Sequence, residues 1–387
     1  MPAYRSLMTR AFVLAGAVGM AWLVQRRPAG TPPRLVDWDR VQSVALRLSS
    51  EPEPMSLPAR RDMQRKYYDW VRQSEEGISE YLKQEAPSSA GKALVFDRKE
   101  WINANRAQFQ ALFDPLERAN ERAMLDARAG SWAMARMSQL VISAQMGGLM
   151  GYLGRRVLGQ YDVALLGREP LTGGRIYFVE PNIAGLERRL RVPGGDLRLW
   201  ISLHETTHAY EFEGHPWLVD YLNGLLGEYF ENAATDFRSL KNTGIWEMVG
   251  RTLKNSFTQR SPLEAIMSDV ERDVFGRIQA VMSLLEGFSN HVMDRVGERI
   301  MSANYPVLKS RFESRRGRRS MGDRLFAKFT GLELKLEQYR LGEQFVNKIV
   351  AERGLNVMNL VWTGPEFLPD MREIRQPELW YERVRKL

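Results

Sequence analysis

Apolar positions recur at helical spacing along most of the chain. In LVDWDRVQSVALRLS (residues 35–49) they mark one face of an amphipathic helix, which the Pro-rich SSEPEPMSLPA then breaks. The same spacing resumes from Arg61 to Glu85 and from Asp97 to Ala129, where interleaved charges mark a solvated face. Ser131 to Gly159, SWAMARMSQLVISAQMGGLMGYLGRRVLG, is more apolar. Its Gly147, Gly151 and Gly154 permit close helix contact, while Arg136, Gln139 and Gln145 argue against a membrane span. It reads as a helix buried in a soluble core.

The clear β signal follows: YDVALLG and RIYFVEPNI are short apolar runs bracketed by PLTGG and Pro181. After ERRLRVPGGD, Asp196 is the expected N-cap of a helix from Leu197 to about Phe212, closed by Gly214 and Pro216. The remainder is again mostly helical. Ser261-Pro262-Leu263-Glu264 offers a helix start, and helical spacing runs past Asp294. The expectation is a mainly α chain of the α+β class, with a small β element just before the helix at 197–212. No internal repeat is visible.

The first 34 residues form a separate segment. Ala11–Val24, AFVLAGAVGMAWLV, is uncharged and lies between the basic MPAYRSLMTR and QRRPAGTPPR, which continues as a Pro/Gly spacer. As a helix it would span roughly 21 Å, short of the ~30 Å hydrocarbon core. Membrane association through residues 11–24 as a short anchor, a signal-peptide core without a clean A-x-A site, and an ordinary N-terminal helix all remain open. Localisation therefore stays between cytoplasmic and membrane-anchored. Residues 35–387 are expected to form the functional domain.

Composition narrows the chemistry. Of 387 residues, 44% are hydrophobic and 26% charged, an ordinary globular balance. The net charge of +8 comes from 55 basic and 47 acidic residues, largely interspersed. That balance gives weak attraction to anionic surfaces and no case for nucleic acid. Even KSRFESRRGRRSMGDR, Lys309 to Arg324, reads first as a solvated face. There is no cysteine, so any metal must be held by histidine and carboxylate ligands.

The chain has four histidines, and three lie in LRLWISLHETTHAYEFEGHPW: His204, His208 and His215. HETTH is H-E-x-x-H. On a helix, residues four apart differ by about 40° around the axis, so His204 and His208 can converge on one ion. Glu205 would sit beside the open coordination position, as general base toward a zinc-bound water. The strand-like runs before the helix suit alignment of an extended peptide by β-augmentation. A di-iron bundle needs a second E-x-x-H, but Phe212 and Phe288 stand three before His215 and His291.

Four residues compete as third ligand. Glu211 is one turn beyond His208 and better suited to supporting a ligand. At His215 the metzincin spacing H-E-x-x-H-x-x-G-x-x-H is missed by one position. Glu228 has the downstream distance of thermolysin-like enzymes without their flanking residues. Glu286 is a lone glutamate in the apolar VMSLLEGFSNHVMDRVG, costly unless paired or bound. Asp294 could orient a ligand, and His291 and Tyr339 are candidates for an assisting electrophile by residue type alone.

Seven ordered blocks carry a resemblance: VDWDRV, GYLGRRVLGQYDVALL, IYFVEPNI, LHETTHAYEFEGHPWL, LLEGFSNHVMD, YRLGEQFV and NLVWTGPEFLP. From about Val36 to the end the chain resembles a zincin-like family labelled zinc-dependent metalloprotease or coenzyme F420 biosynthesis-associated protein. The resemblance implies a mainly helical zincin-like domain with a Zn2+ site on His204 and His208. It makes Glu286, in the LLEG block, the third ligand. It supplies no substrate beyond a peptide or protein, no oligomeric state, and no deazaflavin binding. The expected function is a zinc-dependent hydrolase, a metallopeptidase in the first instance. The other reading is a non-catalytic, zinc-stabilised binding or scaffold protein at the membrane surface.

Overall fold

The computed structural model describes residues 31–49, 55–87, 92–125, 129–162, 175–243, 267–301, 304–316 and 332–387. The start signal at 261–264, most of YDVALLG and the end of the basic run at 317–324 lie outside them. Helix α1 (Trp38–Leu48) is followed by α2 (Leu57–Leu82), strand β1 (Ala93–Phe96), α3 (Arg98–Leu125) and α4 (Ala129–Gly154). Next come β2 (Gly159–Tyr161), β3 (Ile176–Val179), α5 (Glu180–Leu190), α6 (Gly194–Gly214) and α7 (Trp217–Thr243). Then follow α8 (Asp269–Met301), α9 (Asn304–Arg316), α10 (Leu332–Arg353) and short helical turns to the C-terminus. The fold is mainly α with a small sheet. No helix among the described residues is long and apolar enough to cross a membrane.

The sheet order is β1-β3-β2, with β1 parallel and β2 antiparallel to β3. β3 is buried on both faces. Ile176 and Phe178 join the larger core with α2, α5, α6, α8 and α10, while Tyr177 and Val179 join a smaller core with α1, α3 and α4. A strand covered on both sides reads as an apolar run without alternation, as IYFV does. ALVF in β1 was not anticipated; four residues between two long helical patterns give too short a signal to separate from either.

The axis of the larger core is α6. It is buried from Leu197 to Leu203 and carries further buried residues to Glu211. Its start differs from expectation: the N-cap is Pro193, and Asp196 lies inside the first turn. Arg198 anchors that end, bonding Glu187 at 2.7 Å and pairing with the buried Glu180, which also accepts from Tyr67. Among the described helices, α8 and α2 pack most extensively against α6.

Close approach at glycines sets two helix pairs. α1 runs alongside the second half of α4, where a Cβ on Gly147 would lie 2.6 Å from Val44 and one on Gly151 2.9 Å from Leu48. α8 and α10 cross where a Cβ on Gly342 would meet the Ser283 carbonyl oxygen at 1.8 Å, and one on Gly287 the Gly342 carbonyl carbon at 2.2 Å. The expectation for α4 holds for only part of its length. Gly147 and Met150 are buried, but Met134, Met137, Leu140 and Val141 are exposed.

Candidate metal centre

His204 and His208 share one face of α6, with ring centroids 4.8 Å apart. Glu286 comes from α8, one residue before the glycine at the α8–α10 crossing. Its Oε2 lies 3.5 Å from His204 Nε2. One potential ligand atom from each of these three residues lies within 4.8 Å of the others.

The imidazole of His208 is braced from behind. Its Nδ1–H donates to Glu211 Oε2 at 2.7 Å, and Ser289 on α8 donates to Glu211 Oε1 at 3.1 Å. This leaves Nε2 of His208 as the outward nitrogen, the tautomer a metal needs. Burial alone would lower the pKa of His208, but Glu211, then Glu286 and Glu205, outweigh it and hold it up at about 9. Burial pushes the Glu211 carboxyl up, and His208 works against that rise.

Glu205 is buried, and burial raises its pKa, opposed by His204 and His208 and by the backbone N–H of Tyr161. That N–H belongs to β2, the sheet edge. Leu158 and Asp162 bond back toward β3, so the alternation of an antiparallel pair turns Gly159 and Tyr161 outward, toward α6. Gly159 has to lack a side chain, because a Cβ there would sit 2.7 Å from Glu205 Cγ. The residue type thus lets a strand edge pass directly over the H-E-x-x-H helix.

His204, Glu205 and Glu286 line a pocket of about 420 Å³. Its apolar wall includes Trp200 and Ile201 from α6, Met293 from α8 and Phe312 from α9. Asp294 lies on the same pocket, where it accepts from Tyr305 and Lys309. His291 is elsewhere. It is buried, accepts from Tyr81 at 2.7 Å and donates from Nδ1 to Asn347 Oδ1 at 2.6 Å. That placement removes it as an electrophile at the site. The side chain of Tyr339 lies outside the described residues.

The other proposed third ligands are spread out. Glu228 pairs with Arg277 at 2.7 Å on exposed surface. His215 stacks on Trp362 and bonds the Glu211 carbonyl oxygen at 3.0 Å. Sequence reasoning missed Ser289, whose only signal was its position three residues after Glu286. It also missed Gly159, whose role depends on contact with Glu205.

Residues 36–381 match the description of the zincin-like metallopeptidases over nearly the whole chain. The chain belongs to the zincin-like metallopeptidase family. This zincin-like chain is also similar to a solved structure from Chloroflexus aurantiacus, described as a candidate hydrolase with a novel fold. The two share 37% identity at a TM-score of 0.65, covering 91% of this chain and 99% of that one. A search of the curated proteins finds no match. Membership of the zincin-like family implies a metal, typically zinc, and makes an enzyme the natural reading of the pocket.

Proposed function

We propose that the protein is a zinc-dependent peptidase whose metal is held by His204, His208 and Glu286 and whose general base is Glu205. The observation that carries the reading is the convergence of two imidazoles and one carboxylate, two of these ligands, His204 and Glu286, lining a pocket that the buried Glu205 also lines. Such a donor set fits zinc. Tetrahedral ligands at ~2.0–2.1 Å from the ion lie about 3.3 Å from each other, close to the 3.5 Å between His204 and Glu286. Bound there, zinc supplies Lewis acidity, which polarises a carbonyl and acidifies a water. An open pocket at the ligands favours this over a closed structural site.

The chain's own residues supply the rest. Glu205 takes a proton from the attacking water on a carboxylate oxygen and returns it to the departing amine. Its raised pKa makes it a stronger base than an ordinary exposed glutamate, which favours the first of these transfers. Glu211 and Ser289 hold the His208 ring in orientation. The outward backbone groups of Gly159 can pair with an extended peptide laid along β2.

Glu205→Gln tests the role. Metal content and thermal unfolding are expected to stay at wild-type levels, because Gln keeps the shape. Cleavage of a peptide mixture, read by mass spectrometry, is expected to fall about 100-fold or more. Cleavage at the wild-type rate would remove Glu205 from the chemistry.

A further inference from the structure

The pocket beside the metal ligands has a direction. Trp200 and Ile201 precede His204 and Glu205 by one turn of α6, about 6 Å along the axis. Met293 follows Glu286 by two turns of α8, about 10 Å along. The two walls therefore extend away from the ligands, α6 toward its start and α8 toward its end. Phe312 of α9 completes the apolar lining, its ring edge-on to Trp200 with centroids 4.6 Å apart. Trp200, Ile201 and Met293 are buried, so packing fixes their positions. The β2 edge borders the same space through Leu158 and Gly159, so a peptide laid along β2 passes beside this lining.

Charge is distributed unevenly around it. Asp294, about 12 Å along α8 from Glu286, accepts from Lys309 at 2.5 Å. Glu313 and Glu343 line the pocket as well. Burial alone would lower the pKa of Lys309, but Asp294, then Glu313 and Glu343, outweigh it and hold it up. Arg156 donates to the Tyr152 carbonyl at 3.4 Å and lies 3.6 Å over the Tyr152 ring. Apart from the metal ligands and Glu205, three lining carboxylates thus stand against one lysine and one arginine that the protein already engages.

We propose that this pocket sets the cleavage specificity: it takes a large apolar side chain, aromatic or Leu or Met, from a residue flanking the scissile bond, and it rejects Asp and Glu there. Phe312 is the residue that determines the apolar preference, and Glu313 contributes to the exclusion of acids. The inference rests on the peptidase reading above and names its substrate class. An apolar side chain that enters leaves water for contact with Trp200, Met293 and Phe312. The volume of about 420 Å³ lies in the range of sites that bury small ligands. A carboxylate entering the same space would give up hydration and meet an excess of its own charge.

A synthetic peptide library incubated with the zinc-loaded full chain tests the inference, with cut sites read by mass spectrometry. One position flanking the cut is expected to favour large apolar residues over Ala about tenfold or more, and to be depleted in Asp and Glu to a similar degree. Phe312→Ala should lower the aromatic preference about tenfold with zinc content unchanged. Glu313 is exposed, so Glu313→Lys should unfold at the wild-type temperature and cut beside acidic residues several-fold more often. Cleavage without a flanking preference, or a profile unchanged in both variants, would overturn the inference and leave the peptidase reading standing. Binding separates the two readings. Immobilised, zinc-loaded Glu205→Gln should retain library peptides rich in large apolar residues and pass the acidic ones. Such retention without any cleavage by wild type would keep the pocket's specificity and remove the peptidase reading. Neither cleavage nor selective retention would overturn both.

Discussion

His291 shows how a single buried side chain can matter without touching the pocket. It ties α8 to α2 through Tyr81 and to α10 through Asn347. Burial, with Arg295 adding to it, holds its pKa below the ordinary 6.5. The folded state therefore prefers the neutral ring, and the unfolded chain takes up the proton first. Stability from this source is complete above pH ~6.5 and is lost as pH falls through the lowered folded pKa. Urea unfolding at pH 7.5 and 5.5 should show a drop in wild type that is smaller in His291→Gln; an equal drop in both would exclude the histidine. Among residues, H-E-x-x-H was legible because helical spacing alone sets it. Glu286 could be ranked above Glu228 by its apolar flanks and by the LLEG block, but the 3.5 Å approach to His204 depends on two helices meeting. Ser289 was illegible for the same reason.

That meeting is set by α8 and α10. At their crossing the backbones touch, because neither Gly287 nor Gly342 has a side chain. Gly342→Ala has no flexible neighbour to displace, only the Ser283 carbonyl, so the helices must separate. The expected cost is at the upper end of overpacking, about 3 kcal/mol or more. Metal content should fall as well, because Glu286 adjoins the contact. Denaturant unfolding together with metal analysis checks this; wild-type values in both would mean the crossing does not position Glu286. Helices were the readable elements, since each of α1, α2, α6 and α8 spans several turns of consistent spacing. β1 was too short to register. The start of α6 was misjudged because Asp196 looks like a cap, whereas Pro193 already begins the turn. The two characters of α4 could not be separated, because an apolar sequence reads the same whether its side chains lie against α1 or stand exposed.

At the scale of the molecule, two helical layers enclose a small sheet, and the sheet edge runs over the helix that carries the histidines. The pocket lies where α6, α8, α9 and β2 meet. Its chemistry requires parts from sequence positions as distant as 159 and 286, so an intact fold and an assembled site should rise and fall together. With its pKa held up at about 9, His208 of the metal-free protein carries a proton on both ring nitrogens at neutral pH, and metal binding must displace the one on Nε2 while Nδ1–H stays on Glu211. The central claim is that His204, His208 and Glu286 form one zinc site. Zinc content of the purified protein, wild type beside Glu286→Ala and Glu228→Ala, tests it most directly. The account predicts one zinc per chain in wild type and in Glu228→Ala, and loss of most of it in Glu286→Ala. Absence of zinc from wild type after reconstitution, or full zinc in Glu286→Ala, would contradict it.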